Sequence, residues 1–77
     1  MISVEVEFSN HALDQLKERS RITKEMVLET VRNPEKVLSS FKGRLLYRKQ
    51  YDREELEVVT IKEHGKIIII TEYFLER

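Results

Sequence analysis

Four residues of this chain have the types that metal-free cleavage of RNA requires: His11, Arg44, Arg48 and Tyr73. Such a reaction needs a base for the 2′-hydroxyl proton, an acid for the leaving 5′-oxygen and fixed positive charge on the phosphate. Arg44 and Arg48 would supply the charge, because guanidinium stays protonated and binds phosphate oxygens bidentately. An imidazole with an ordinary pKa of about 6.5 suits either proton step, which makes His11 a candidate. The Tyr73 phenol is a second. Each has a plainer reading beside this one. His11 then packs or caps locally in a first helical turn, the arginines form a solvated strand face that deters edge pairing, and Tyr73 is a cross-strand partner.

The two arginines lie in FKGRLLYRKQYDR, residues 41–53, which carries five cations against one acid in a chain with 14 of each sign. The flanking segments are therefore net acidic. Lys42, Tyr47, Lys49 and Tyr51 fall in the same stretch, and cations interleaved with aromatic rings suit phosphate backbones and unstacked bases, or a partner protein. Arg19 follows His11 by eight positions, about 80° round a helix, so the two do not share a face closely. It reads as a link between helix and sheet, or as a surface cation open to a partner. His11 and His64 lie far apart and cysteine is absent, which argues against a structural metal site. No glycine-rich phosphate loop or Ser/His/Asp spacing occurs, so no cofactor is expected.

These residues have to be positioned by a single domain, because 77 residues leave no room for two. SVEVEF alternates up to Phe8 and reads as a first strand with one wet face. Ser9 can then cap a helix that carries Ala12, Leu13 and Leu16 and ends near Ser20. Thr23 caps a second helix with Met26, Val27, Thr30 and Val31 on one face, and Pro34 stops it at Asn33. Past the proline the period changes to two. KVLSSF, RLLYRKQY, ELEVVTIK and KIIIITEYF read as successive strands, with His64-Gly65 as a two-residue hairpin turn. The run of four isoleucines predicts a last strand that is central and covered on both faces. The order β-α-α-β-β-β-β gives an α+β domain, an antiparallel meander beside a helical hairpin. On its third strand Lys42, Arg44, Leu46, Arg48 and Gln50 share one face, and Leu45, Tyr47, Lys49 and Tyr51 the other.

This order of elements resembles a family of small domains of unknown function within the RelE/ParE-like toxin superfamily. The pieces that carry the likeness are FSNHALDQLKER with His11 and Arg19, ITKEMVLETVRNPE with Pro34, GRLLYR with Arg44 and Tyr47, and IIIITEY with Thr71 and Tyr73. The resemblance implies a RelE/ParE toxin-like fold, with the helical hairpin packed on one side of a curved antiparallel sheet, a neighbouring antitoxin that wraps it, and either ribosome-dependent cutting of messenger RNA or inhibition of gyrase. The chain departs from the pattern in ending four residues after Tyr73 and in its acidic later half. The expectation is a toxin-like protein of a toxin–antitoxin system, a metal-independent messenger RNA endoribonuclease acting on the ribosome. The alternative is a non-catalytic module of the same fold that engages a partner protein, or a second copy in a homodimer. The longest apolar run, Ile67 to Ile70, is far too short to span a membrane, and MISVEVEF lacks the cations of a signal peptide. A cytoplasmic address follows. With 36% charged residues and only four Asn and Gln, the composition also suits a thermophile.

Overall fold

The computed structural model describes residues 5–76 and places them in two layers, a pair of helices on one face of a five-stranded sheet. In chain order the elements are β1 (Glu5–Phe8), α1 (Asn10–Glu18), α2 (Lys24–Arg32), β2 (Lys36–Ser39), a 3-10 turn (Phe41–Gly43), β3 (Arg44–Tyr51), β4 (Glu54–Glu63) and β5 (Lys66–Phe74). Ser3 and Val4, expected in the first strand, lie outside the described residues. No helix among the described residues is long and apolar enough to cross a membrane.

Both helices begin where the sequence has a hydroxyl able to accept from the first free amides. Ser9 Oγ accepts from Ala12 N at 3.1 Å, and Thr23 Oγ1 accepts from Met26 N at 3.1 Å. The second helix ends at Asn33, ahead of Pro34. The helices turn Ala12, Val27 and Val31, and the loop between them Ile22, onto Leu56, Val58, Ile67 and Ile69 of the sheet, and this layer is the core. Each fully buried Val or Leu contributes about 1.5–3 kcal/mol of transfer free energy. Two side chains of β3 fasten α2. The Tyr51 hydroxyl lies 2.9 Å from Met26 O and 3.0 Å from Thr30 Oγ1, and Lys49 donates to Glu29 at 2.9 Å and to Asn33 O at 3.2 Å.

The sheet order is β1-β5-β4-β3-β2. Four neighbouring strands, β5 to β2, run antiparallel, but β1 pairs parallel with β5, so the sheet is mixed rather than wholly antiparallel. The reason lies in the long connection. The helical pair carries the chain from the β1 edge to the β2 edge, and three hairpins bring it back to β5 running in the direction of β1. β5 is interior, as its isoleucines predict, yet only one of its faces is covered. Ile67 and Ile69 are buried under the helices, whereas Ile68 and Ile70 are half-buried. A register shift between Val59 and Thr60 makes Ile70 an extra residue opposite β4. Its carbonyl accepts from Ser9 Oγ at 3.1 Å, so one serine caps a helix and satisfies the bulge. His64 and Gly65 turn β4 into β5 with φ of 49° and 76°, the left-handed pair the two-residue turn demands.

Candidate functional site

Helices cover one face of the sheet, and the other is open. The pairing register assigns side chains to the open face in rows that cross the strands. One row is Lys36, Arg48, Glu57 and Tyr73. The next holds Leu38, Leu46, Val59 and Thr71, and the next Arg44, Ile61, Ile68 and Glu7. The arginine parity read from the sequence therefore places Arg44 and Arg48 on the uncovered side, with Tyr73 two strands from Arg48.

Glu57 joins Arg48 to Tyr73. It is 4% exposed, Arg48 Nε donates to its Oε1 at 2.7 Å, and the Tyr73 hydroxyl donates to its Oε2. A carboxylate this buried needs such partners, because an unpaired charge away from water is strongly destabilising. Burial, followed by the bond to the Glu57 carboxylate, pushes the Tyr73 phenol up to about 12. The trio is braced, with Tyr73 held protonated and the Glu57 oxygens occupied. Of the five N–H donors of Arg48, the recorded hydrogen bond uses one. Arg44 is less provided for. Its Nε is buried without a hydrogen-bond partner, and its guanidinium carbon sits 5.9 Å from the centre of the Phe41 ring, a side chain 70% exposed.

The other candidates disperse. His11 is exposed in the first turn of α1, which lies over β5 and β1 on the covered side, so the sheet stands between it and the Arg44–Arg48 face. Tyr47, Lys49 and Tyr51 also point to the covered side, where Tyr47 packs on the core and the other two hold α2. Lys42 is exposed in the turn before β3, with φ of 60°. Arg19 caps the end of α1, donating its Nε to Gln15 Oε1 at 2.7 Å. It also lines a cleft of about 690 Å³ with Arg21, Arg53, Glu54 and Phe74, where Arg21 pairs with Glu54 and stacks 5.2 Å over Phe74. No group of three or more His, Cys, Asp or Glu among the described residues is placed to hold a metal ion.

Two acids that chemistry-led reading of the sequence passes over prove to be the most constrained. Glu57 is the hub just described. Glu72 is fully buried on the helix-covered side, and neither of its carboxyl oxygens has a hydrogen-bond partner. Burial pushes its carboxyl up to about 7, against the smaller opposing effects of its own backbone amide, which lies outside hydrogen-bond geometry, and of the Arg19 charge. The sequence signal for both was strand parity. Glu57 falls in phase with Val59 and Ile61, and Glu72 in phase with Phe74.

A family model described as a domain of unknown function, DUF4258, matches residues 8–74, from the last residue of β1 to the last of β5. The chain belongs to the DUF4258 family. The matched span of this DUF4258 chain includes both helices, the basic strand and the whole Arg48–Glu57–Tyr73 row. No curated protein and no solved structure matches it.

Proposed function

We propose that this DUF4258 domain is a non-catalytic binding module that engages a partner protein through the open face of its sheet. What carries the reading is the Arg48–Glu57–Tyr73 row, in which the groups that would do proton transfer are committed to one another. A phenol whose pKa stands near 12 is a poor acid or base at neutral pH. Glu57 is almost wholly buried, and His11 sits on the far side of the sheet. The rest of the open face suits protein contact, for Leu38, Leu46, Val59, Ile61 and Ile68 form an apolar centre flanked by charges. RelE/ParE-like toxin kinship remains part of this proposal, with the open face as the surface that an antitoxin-like protein would take.

A photoreactive side chain placed at Leu46 on the open face, with Asp14 on the outside of α1 as control, tests the reading in the expressing cell. Protein adducts from position 46 and none from position 14 are expected. Adducts to RNA, or none from either position, contradict it.

A further inference from the structure

We infer that the partner the open face is shaped for is a second copy of the same chain, packed face to face about a two-fold axis parallel to the strands between β4 and β5. This rests on the reading of that face as a protein-binding surface, and it deepens it by naming the occupant. The rows themselves give the argument. Rotation about such an axis lays each row on itself reversed, so that β4 of one copy faces β5 of the other and β3 faces β1. The row Glu7, Ile68, Ile61, Arg44 then sets Arg44 against the partner copy's acid at position 7, and Ile61 against its isoleucine at position 68. The adjacent row pairs Glu63 with Lys66, and these too meet as opposite charges. Within one copy Lys66 already holds Glu7 at 2.9 Å and lies 3.9 Å from Glu5, so Arg44 adds a second cation to an acidic edge rather than meeting a lone carboxylate. A two-fold perpendicular to the strands sets β3 on β3 and brings like charges together, which disfavours it.

Three further observations agree. The one arginine this arrangement pairs across the axis is the one whose Nε is buried without a partner. An unanswered buried donor is costly, and a carboxylate from above relieves it. Midway along the axis the open face carries the aliphatic Val59, Ile61 and Ile68, with polar rows at either end. The arrangement also closes, since the four strands β1, β5, β4 and β3 form a patch complementary to itself, with β2 left outside it. The four facing strands at about 4.8 Å spacing and roughly six residues of strand at about 3.3 Å give a contact near 19 by 20 Å. That is below the standard size for a stable interface, so the dimer should be weak, dissociating at high micromolar concentration or above.

The test is sedimentation velocity across micromolar to millimolar protein on the wild type, Arg44→Glu, Glu7→Arg and the combined swap. Arg44 and Glu7 lie away from the core, and circular dichroism checks that each variant is folded. A concentration-dependent dimer is expected, weakened about tenfold or more in each single variant and recovered in the double. A dimer indifferent to the swaps, or a double variant that stays monomeric, overturns the arrangement. The Leu46 adduct separates this failure from that of the underlying reading. A product of twice the chain's 9.3 kDa supports the second copy, and an adduct to a different protein from a chain that sediments as monomer overturns it while leaving the binding module standing. No adduct overturns both.

Discussion

Glu72 gives the sharpest quantitative consequence of this structure. Its carboxyl is fully buried with both oxygens unpartnered, and its pKa rises from 4.5 to about 7. The folded state therefore keeps a proton that the unfolded chain gives up near pH 4.5. The favourable contribution is complete below that value, falls as pH rises towards 7, and is gone above it. At about 1.36 kcal/mol per pKa unit the loss is on the order of 3 kcal/mol, a large share of the stability of so small a domain. Glu72→Gln keeps the shape and removes the titration. Urea unfolding followed by circular dichroism, on wild type and variant from about pH 4.5 to about pH 8, gives a difference in which the other titrating groups cancel. The gap should move by about 3 kcal/mol in the variant's favour across that range, worth roughly 12 °C or more in Tm at the alkaline end. If the glutamine variant folds poorly, Glu72→Met carries the same expectation. A difference that stays constant across the range refutes the reasoning, because it would mean that the carboxyl ionises as easily folded as unfolded.

Other consequences are smaller and independent. Arg48→Ala strands the buried Glu57 carboxylate and should cost about 2–3 kcal/mol in chemical unfolding, most of it recovered when Glu57→Leu is added. Loss of stability in the single variant without recovery in the double would deny that Glu57 is the reason for Arg48. Spectrophotometric titration should find one of the three tyrosines ionising near pH 12, and Tyr73→Phe should remove that transition and no other. Ser9→Ala loses the α1 cap and leaves the Ile70 carbonyl without its donor, for about 1–2 kcal/mol in the same unfolding assay. A cost near zero would mean that water serves both groups equally well.

Local chemistry made much of the fold legible. Ser9, Thr23 and Asn33 mark helix ends because capping is a property of a few neighbouring residues, and β3 runs over the residues its alternation indicates. Parity also assigned Arg44 and Arg48 to one face and Tyr47, Lys49 and Tyr51 to the other. It did not say how strands from distant parts of the chain meet. The parallel pairing of β1 with β5 joins residues about sixty apart, and nothing local to SVEVEF records the direction of its partner. For the same reason His11 and Arg44, which look like parts of one reaction when read by type, end on opposite sides of the sheet. Glu57 and Glu72 were obscured by composition, since glutamates in so charged a chain read as solvated until the register shows what surrounds them.

The central claim is that the arginine face binds without cutting. Mapping messenger RNA 5′ ends in bacteria induced to express the chain, beside the Arg44→Ala/Arg48→Ala double variant and purified ribosomes, tests it most directly. The account predicts the same ends in all samples and unimpaired translation. New ends confined to translated messages, present with the wild type and absent with the double variant, would contradict it and restore the face as a nuclease site.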